Sequence, residues 1–314
     1  MNKAFVLGAG LGERLRPLTD QLPKPLVPVF HRPLITYAFD HLHADLGVDA
    51  FVVNTFHLAE AYDAAFPDGT YQGLPVNLRK DAPVRLETAG GLAHVRDLLD
   101  GSGTFAVYNG DILTDLPLQP LLEAHQRGGH LVTLALRSAG PALHIAIDPA
   151  RSVVTDIRNK LGTGNEGTHL FTGIYLVEPE FFDWLTPGQP QSVIPVFLEL
   201  IRQGHRLGCA VIDEGHWWDL GNRESYLEAH RALAHLGNAF PRYGGAGFPS
   251  TAQPHGVTLT GTNVIGDGAR VEPGAALQDC VLWPHAVVES GARLERCIVR
   301  SHITASGVHT GADF

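Results

Sequence analysis

Cysteine, basic residues and long apolar runs are all scarce in this chain, and each scarcity excludes a class of protein. Three cysteines in 314 residues cannot form a disulfide framework, which favours a reducing compartment, the cytoplasm. The 23 Lys and Arg residues are outnumbered by 33 Asp and Glu, for a net charge of −10. Such a balance excludes a polybasic nucleic-acid binder. Because no apolar run approaches the roughly 18 residues of a membrane span, we expect a soluble cytoplasmic protein with neither nucleic acid nor membrane as partner.

The first 235 residues alternate short apolar runs with amphipathic ones. Short, often β-branched runs bounded by turn residues predict buried strands at 4–7, 50–53, 76–78, 104–108 and 131–136. Helical periodicity occupies the segments between them, at 33–46, 58–66, 91–99 and 118–126. Further strands are expected at 143–147, 153–157, 169–177 and 207–212, with helices at 193–203 and 224–235. This order predicts an α/β fold, a Rossmann-like mixed, mainly parallel sheet whose ligands lie at the carboxyl ends of the strands.

The apolar period changes after a Gly- and Pro-rich stretch at 237–254, which we interpret as a linker. Aliphatic residues then recur every six positions, with regular slips that make a 17-residue unit: Leu259, Ile265, Val271, Leu277, Leu282, Val288, Leu294 and Val299. A six-residue aliphatic period is typical of a parallel β-helix. We therefore predict two domains, residues 1–236 and a short left-handed β-helix over 255–314. Cys280 and Cys297, also 17 apart, should stack as buried thiols rather than form a disulfide.

A glycine-rich loop follows the first predicted strand. Gly8, Gly10 and Gly12 free backbone N–H groups to approach a ligand, and nests of such groups bind anions. Residues 1–32 hold five Lys or Arg against two acidic residues, a local charge of +3 that favours a polyphosphate ligand. A flexible surface loop is the alternative, but the prolines on both sides of Lys24 stiffen the segment.

The two common nucleotide motifs fail here. The third glycine of Gly-x-Gly-x-x-Gly would fall at Glu13, which excludes the dinucleotide fingerprint. No Gly-Lys-Ser/Thr follows the glycines either, which excludes a Walker A loop. Neither common nucleotide motif therefore accounts for the glycines and the local positive charge.

Five motifs occur in order along the first 235 residues. They are Gly10-x-Gly12-x-Arg14-Leu15-x-Pro17-Leu18-Thr19 with Pro23-Lys24-Pro25-Leu26, Glu87-Thr88-Ala89-Gly90-Gly91, Asn109-Gly110-Asp111, Thr172-Gly173-Ile174 and Trp218-Asp219-Leu220-Gly221. Together they resemble the motifs of the sugar-1-phosphate nucleotidyltransferases, one branch of which carries a β-helix tail. The resemblance implies an enzyme that transfers a nucleotidyl group from a nucleoside triphosphate to a sugar 1-phosphate and releases pyrophosphate.

The resemblance also implies a role for each matched residue. Arg14 and Lys24 would hold the triphosphate as catalytic residues, and Asp111 and Asp219 would hold the expected cofactor, Mg²⁺. The predicted nucleotide-binding residues are Leu7, Gly8, Ala9, Gly10, Gly12, Glu87, Thr88 and Gly90. The predicted sugar-phosphate-binding residues are Asn109, Asn159, Lys160, Thr172 and Gly173. Mg²⁺ often takes one or two protein carboxylates and completes its shell with phosphates and water, although a single aspartate is as commonly a turn or helix cap.

Departures from the family pattern bear on the substrates. Asn159-Lys160 stands where many members have Glu-Lys, and Leu143-His144 where many have Tyr-Gly, both in the sugar half. Glu13 and Glu87 replace the commoner Thr and Gly, and that pair resembles N-acetylmuramate-1-phosphate uridylyltransferases. The tail instead resembles mannose-1-phosphate guanylyltransferases. We expect mannose 1-phosphate and GTP as substrates, with the N-acetylmuramate reaction or that of another NDP-hexose pyrophosphorylase as the alternative.

Two other classes of function compete with this interpretation. A β-helix acyltransferase could use His285 or His302 as a base, but about three coils offer little surface for a cofactor cleft. A sugar-nucleotide sensor without catalysis could bind through the first domain, yet a pure binder has no need of Asp111 and Asp219. The tail itself exposes strand edges that require a partner or a cap, so we expect a homo-oligomer formed through the β-helix.

Overall fold

A computed structural model describes residues 1–236 and 255–314, and the linker predicted at 237–254 lies outside these ranges. The α-helices are α1 Leu34–Leu46, α2 Glu60–Ala65, α3 Glu87–His94, α4 Arg96–Leu99, α5 Gln119–Gly128, α6 Val193–Arg202 and α7 Arg223–Leu236. Short 3-10 helices span Glu13–Leu15, Leu18–Asp20, Lys24–Leu26 and Pro179–Trp184. Among the described helices, none combines the length and the apolar character that a membrane crossing requires.

The strands fall into an N-terminal and a C-terminal series. The first series is β1 Lys3–Leu7, β2 Pro28–Val29, β3 Arg32–Pro33, β4 Ala50–Thr55, β5 Thr70–Tyr71, β6 Leu74–Lys80, β7 Phe105–Asn109, β8 Ile112–Thr114, β9 Val132–Arg137, β10 Ile145–Asp148, β11 Val153–Ile157, β12 Leu170–Val177, β13 Leu207–Val211 and β14 Trp217–Asp219. The second series is β15 Thr258–Thr260, β16 Val264–Ile265, β17 Arg270–Val271, β18 Ala276–Gln278, β19 Val281–Leu282, β20 Val287–Val288, β21 Arg293–Glu295, β22 Ile298–Val299, β23 Thr304–Ala305 and β24 Val308–Thr310.

Contacts divide the chain into two compact units, which are described separately. The first unit comprises residues 1–10 and 37–217, and the second comprises residues 11–36 and 218–314. The chain thus leaves the first unit directly after the first two glycines of the loop and returns to it at Tyr37. The boundaries placed at residues 236 and 255 from the sequence stay a prediction.

A ten-stranded mixed sheet organises the first unit, as the sequence predicts. Its strand order is β10-β11-β13-β9-β12-β7-β1-β4-β6-β5. The neighbours β7, β1, β4 and β6 are all parallel, and β9 is parallel to β13, whereas β12 runs antiparallel to both β7 and β9. In this register Leu7 lies beside both Asn54 and Asn109. The carboxyl ends of three parallel strands therefore meet at one edge, where ligands of such sheets bind.

The core of the first unit forms where the short apolar runs pack against amphipathic helices. Phe5, Val52 and Val107 of the central strands are fully buried, and Phe197 of α6 packs in the same cluster. One helix differs from its predicted bounds. Where the sequence pattern predicts a helix over 91–99, α3 begins at Glu87 and ends at His94, and α4 follows. The earlier start is stabilised because the N–H groups of Ala89 and Gly90 both donate to Gln191 O, at 2.8 and 3.1 Å.

The second unit contains the parallel β-helix predicted from the 17-residue period. Its strands form three parallel sheets, in the orders β15-β18-β21-β24, β16-β19-β22 and β17-β20-β23. Leu277 pairs in register with Leu294, 17 residues later, and both side chains are buried. Cys280 and Cys297 are buried free thiols, as predicted. The aliphatic period therefore fills the inside of the coils.

Candidate active site

Gly8 lies at the carboxyl end of β1 in a position that admits no side chain. Its N–H donates to Asn54 Oδ1 at 3.0 Å, and the Tyr62 hydroxyl donates to its carbonyl at 2.8 Å. A Cβ placed on Gly8 would lie 2.5 Å from Asn54 O. Two buried side chains, Asn54 and Tyr62, thus fix the predicted nucleotide-binding loop at Gly8, while Gly10 is exposed at the end of this stretch.

The Asn109-Gly110-Asp111 turn lies directly against the end of β1. Gly110 N–H donates to Leu7 O at 3.0 Å, and a Cβ on Gly110 would lie 2.5 Å from the same oxygen. Gly173, at φ +84°, faces the turn from the next strand, since a Cβ there would lie 2.6 Å from Asn109 Nδ2. The structure therefore brings Leu7, Asn109, Gly110 and Gly173 together, although they come from three of the predicted motifs.

Asp111 acts electrostatically on the residue that holds the glycine loop. Burial raises the pKa of the Tyr62 phenol, and the negative charge of Asp111 raises it further. The phenol consequently stays protonated and keeps its hydrogen bond to Gly8 O. Asp111 and the glycine loop are therefore linked electrostatically through Tyr62, within the first unit.

The Glu87–Gly91 motif forms the first turn of α3. Glu87 has φ +60°, the left-handed region in which L side chains are disfavoured, and its side chain is exposed. Thr88 Oγ1 accepts a hydrogen bond from Val193 N–H at 2.8 Å. A Cβ on Gly90 would lie 2.3 Å from Gln189 O. The backbone at Glu87 therefore has a conformation that glycine, the commoner residue there, adopts without strain. Thr88 and Gly90 contact residues 189–193, which lead into α6.

Two polar residues that the sequence analysis missed connect these motifs. Asn54, fully buried at the end of β4, accepts from Gly8 N–H and donates from Nδ2 to Asp81 Oδ2 at 3.2 Å. Asp81 in turn accepts from Leu86 N–H at 3.2 Å, next to Glu87. Burial raises the pKa of Asp81, and the hydrogen bonds from Leu86 and Asn54 partly oppose that rise. The only sequence signal for either residue is a polar side chain at the end of an apolar strand.

The residues predicted to bind the sugar phosphate differ in how freely they can meet a ligand. Thr172 is buried, and its hydroxyl donates to Ala135 O at 2.8 Å. Asn159 accepts from Gly164 N–H at 2.9 Å and donates to Glu166 Oε1 at 3.4 Å. Lys160 is exposed. Of these three side chains, the Lys160 ammonium alone has no internal partner in the part of the chain that the structure describes.

The loop that carries Asn159 and Lys160 is fixed by Asp156, a residue that the motifs do not include. The buried Asp156 carboxylate accepts from the N–H groups of Ile157, Leu161 and Thr163 at 2.7, 3.0 and 3.3 Å, and from Thr163 Oγ1 at 2.8 Å. Burial opposes ionisation, but these hydrogen bonds prevail and lower the pKa of Asp156. The loop that carries Asn159 and Lys160 is therefore built around one ionised carboxylate.

The second unit brings three of the predicted charged residues together. Lys24 Nζ donates to Asp219 Oδ1 at 3.2 Å, and Arg14 NH2 lies 3.8 Å from Asp219 Oδ2. The Lys24 side chain is 7% exposed and the Arg14 side chain 72% exposed. Lys24 is thus a fixed, buried cation, whereas the Arg14 guanidinium remains available to a ligand.

Two glycines shape this charged cluster. Gly12 has φ +65°, and a Cβ there would lie 2.6 Å from Thr19 Cγ2 and 3.2 Å from Lys24 Cβ. Gly221 is buried, and its Cβ would lie 2.8 Å from Arg14 NH2 and 3.0 Å from Asp219 Oδ2. Both glycines therefore leave space that the charged side chains occupy. Gly12 belongs to the predicted nucleotide loop, and the structure gives it this packing role.

In residues 1–236 and 255–314, no group of three or more His, Cys, Asp or Glu could hold a metal ion. A cation bound by these described residues would therefore have at most two carboxylates as protein ligands at any one place. Asp219 and Asp111 have the oxygen donors that Mg²⁺ prefers, and this ion commonly takes its remaining ligands from phosphates and water. The donor set thus fits Mg²⁺ bound together with a nucleotide.

Comparisons with known proteins agree with the motifs. Residues 3–235 match the family model described as nucleotidyl transferase. The chain is 30% identical to the UTP--glucose-1-phosphate uridylyltransferase of Synechocystis over 74% of its length, which spans 63% of that relative. It is 30% identical to the mannose-1-phosphate guanylyltransferase of Mycobacterium tuberculosis, over 89% of this chain and 79% of the relative. It is 33% identical to the N-acetylmuramate alpha-1-phosphate uridylyltransferase of Neisseria meningitidis, over 74% of this chain and 98% of the relative.

Solved structures share the fold at lower identity. A Bacillus anthracis protein described as a glucose-1-phosphate thymidylyltransferase superposes with a TM-score of 0.62 at 22% identity, covering 74% of this chain and 95% of its own. The inositol-1-phosphate CTP transferase of T. maritima superposes with a TM-score of 0.60 at 16% identity, covering 72% and 91%. With most of the chain matched by the family model, the protein belongs to the nucleotidyl transferase family that its five ordered motifs predict.

Proposed function

We propose that this protein transfers a nucleotidyl group from a nucleoside triphosphate to a sugar 1-phosphate, giving an NDP-sugar and pyrophosphate. The buried ammonium of Lys24, 3.2 Å from Asp219, carries the proposal, because it combines a fixed cation with a carboxylate beside a glycine-rich loop. An oxygen of the sugar phosphate would attack the α-phosphorus while the bond from that phosphorus to the β-phosphate oxygen breaks. Both the nucleophile and the leaving group are phosphates ionised at neutral pH, so no general base is required.

Catalysis of this kind depends on positioning and on the neutralisation of charge. Lys24 is held by its ion pair and would offset negative charge on the α-phosphate. Arg14 is mostly exposed and would close on the outer phosphates. Gly8 and Glu87 belong to the two backbone segments that would contact the base and the ribose, with Leu7, Ala9, Gly10, Gly12, Thr88 and Gly90 as their predicted companions.

Mg²⁺ is the proposed cofactor, with Asp111 and Asp219 as the protein ligands. The ion would neutralise charge on the triphosphate when bound. Asp219 is already paired with Lys24, and its side chain is 40% exposed, so its carboxylate can accept a second cation without full desolvation. Asp111 stands beside the glycine loop and influences Tyr62. Each carboxylate is thus proposed as a ligand from the surroundings that it has in its own unit.

On the sugar side, Lys160 is the proposed contact to the sugar phosphate. It is exposed on a loop fixed by Asp156. The side chains of Asn159 and Thr172 are engaged in internal hydrogen bonds. These two residues would therefore shape the pocket rather than donate hydrogen bonds to the sugar, and Asn109 and Gly173 would shape it with them.

GTP and mannose 1-phosphate are the proposed substrate pair. The guanylyltransferase of M. tuberculosis aligns with 89% of this chain, a share that includes β-helix residues. The N-acetylmuramate uridylyltransferase of N. meningitidis is the more identical of the two, at 33%, and it supports the uridylyl alternative. Because 98% of that relative aligns with only 74% of this chain, it offers no counterpart to the tail.

Pyrophosphate release tests the proposal directly. Purified protein with Mg²⁺ would be given GTP, UTP, dTTP, CTP or ATP, each crossed with the 1-phosphates of mannose, glucose, N-acetylglucosamine and N-acetylmuramic acid. Release that needs both substrates and stops with EDTA would support the reaction and its cofactor, and the preferred pair would decide between the guanylyl and uridylyl alternatives. Tight nucleotide binding with no release for any pair would contradict catalysis and favour a sensor.

The β-helix is also proposed to join copies of the chain. In the described residues, β15 and β24 are the outermost strands of their sheet, and strands at a sheet edge commonly require a partner or a cap. Val308, in the last strand β24, is 74% exposed, which is unusual for a large apolar side chain. Light scattering of the full chain tests this point, and a monomeric mass at micromolar concentration would contradict it.

A further inference from the structure

The segment that carries Arg14 and Lys24 belongs to the same compact unit as the β-helix. Residues 11–36, here called the phosphate segment, group with residues 218–314. Inside the segment, Thr19 Oγ1 donates to Gly12 O at 2.9 Å, which closes the loop of residues 12–19 next to Lys24. The segment contains little regular structure beyond three 3-10 turns and a short hairpin. Its conformation therefore depends on what it is attached to.

The last coil of the β-helix attaches to the phosphate segment at two points. Arg300 NH1 donates to Pro17 O at 3.2 Å, and Gln21 Nε2 donates to Ser301 O at 3.0 Å. Pro17 and Gln21 flank the 3-10 turn Leu18–Asp20, which contains Thr19. The two contacts therefore hold the turn that closes the loop of residues 12–19, next to Lys24.

A second connection runs through helix α7. Trp283, in the β-helix, donates from Nε1 to the Tyr226 hydroxyl at 3.0 Å, and that hydroxyl donates to Pro28 O at 2.5 Å. Both aromatic side chains are fully buried. Phe30 N–H donates to His230 Nε2 at 3.1 Å. The far end of the phosphate segment, beyond Lys24, is thus fixed by the helix and, through Tyr226, by the β-helix.

The Asp219 side of the charged cluster is tied to the same tail. Arg223, the first residue of α7 and four positions after Asp219, donates from Nε to Asp313 Oδ1 at 2.7 Å and also donates to Arg296 O. Its side chain is 20% exposed and that of Asp313 is 12% exposed. Residues of the β-helix therefore hold both partners of the ion pair. They hold the phosphate segment that carries Lys24, and through Arg223 they hold the chain that follows Asp219.

We propose that the β-helix positions the phosphate-binding cations, and that Arg300 is a positioning residue for the nucleotidyl transfer. The inference rests on the proposed roles of Arg14 and Lys24. Arg300 also donates from Nε to Phe314 O at 2.7 Å, which fixes the guanidinium that holds Pro17. Because a displacement of about 1 Å in a reacting group can cost up to a hundredfold in rate, a looser segment lowers turnover even when the fold persists.

Arg300 is the informative position because it can be changed without opening the core. Its side chain is partly exposed, whereas removal of Trp283 would leave a large cavity and would test folding alone. Arg293 offers a matched control in the same coils. It is exposed, and its guanidinium makes no hydrogen bond or ion pair with any residue in 1–236 or 255–314.

The test compares Arg300→Ala, Arg300→Lys and Arg293→Ala in the full chain. Steady-state pyrophosphate release with varied nucleoside triphosphate gives kcat and KM, and thermal unfolding gives the midpoint of each variant. Hydrogen exchange of residues 11–27 reports the order of the phosphate segment. Arg300→Ala should lower kcat/KM for the nucleotide on the order of tenfold, speed exchange in that segment and leave the unfolding midpoint close to that of Arg293→Ala. Arg300→Lys, which retains one donor, should restore part of the loss.

Lys24→Ala separates this inference from the proposed function. If Lys24→Ala keeps full activity, the proposed role of Lys24 fails. If Lys24→Ala is inactive while Arg300→Ala matches Arg293→Ala in kcat/KM and in exchange of residues 11–27, the positioning role of Arg300 is overturned. A loss of activity in Arg300→Ala that tracks a lower unfolding midpoint, with no local change in exchange, would also overturn it, since it would show a general loss of stability.

Discussion

Lys24 and Asp219 form an ion pair of 3.2 Å although 195 positions separate them in the chain. The lysine is nearly buried and the aspartate is 40% exposed, so solvent reaches the pair from the aspartate side. An anion that approaches from the solvent therefore meets a cation that is already in place. The aspartate offsets the cost of burying the lysine charge, which explains how a buried cation can persist without a ligand.

Replacement of Lys24 by Ala should lower the rate of pyrophosphate release by roughly 10²- to 10³-fold, the range typical for loss of one preorganised charge at a reacting group. The free energy of unfolding should change little, because Asp219 is partly exposed and water can replace the ammonium. Arg16→Ala is the matched control from the same loop, since Arg16 pairs only with exposed Asp20, at 3.4 Å, in the described residues. An equal loss in the control would show that the loop, rather than the Lys24 charge, had been damaged.

A methyl group at Gly221 should disturb the same cluster from the other side. Its Cβ would lie 2.8 Å from Arg14 NH2 and 3.0 Å from Asp219 Oδ2. These distances are too short for a Cβ contact, so the Arg14 and Asp219 side chains would have to shift. Gly221→Ala should therefore lower kcat/KM on the order of tenfold. A double-mutant cycle with Arg14→Ala checks the cause. If displacement of Arg14 is the reason, Gly221→Ala should cost much less in the Arg14→Ala background, and full additivity would contradict it.

The architecture could be predicted because its signals are periodic and local. Short apolar runs between turn residues gave the strands of the large sheet, and the 17-residue unit gave the β-helix, down to the buried Cys280 and Cys297. The start of α3 was missed for a physical reason. Gly90 and Gly91 weaken the helix signal, and the stabilising partner of this turn, Gln191, is about a hundred residues away, where no local pattern reaches.

The candidate site was predicted in part, through motifs. The resemblance implies roles for Lys24 and Asp219, and the structure places the two side chains in one cluster. The sequence motifs could not identify Asn54, Asp81 or Asp156, because a polar residue after a strand is as commonly a turn former as a structural anchor. These anchors act on the backbone of the motifs, so their importance is visible only once register and burial are known.

The conformation of Glu87 allows a test of how its segment works. At φ +60° the backbone is strained for Glu and relaxed for Gly. If the backbone alone contacts the nucleotide, Glu87→Gly should retain activity within about threefold and unfold at a temperature no lower than that of Glu87→Ala. An equal loss of activity in both variants would instead indicate that the exposed Glu87 carboxylate contacts the nucleotide. Nucleotide affinity and thermal unfolding of the two variants decide the matter.

His230 should make the stability of the second unit depend on pH. Burial lowers its pKa from 6.5 to about 4, against the hydrogen bond to Tyr226 O, which raises it. Between pH 6.5 and about 4, His230 is therefore protonated in the unfolded chain and neutral in the folded chain. Stability is fully present above pH 6.5 and falls as the pH decreases through this window, by a contribution on the order of 3 kcal/mol.

Urea unfolding of the wild type and His230→Gln at pH 7 and pH 4.5 measures that contribution. A Gln side chain can still accept from Phe30 N–H, so the variant should fold, and it should lose less stability on acidification than the wild type does. Replacement of the exposed His255 by Gln should leave the wild-type difference unchanged. Equal losses in the wild type and His230→Gln would mean that other groups account for the acid sensitivity. A smaller loss in the variant would mean that protonation of His230, which accepts from Phe30 N–H in the segment that carries Lys24, contributes to the acid sensitivity.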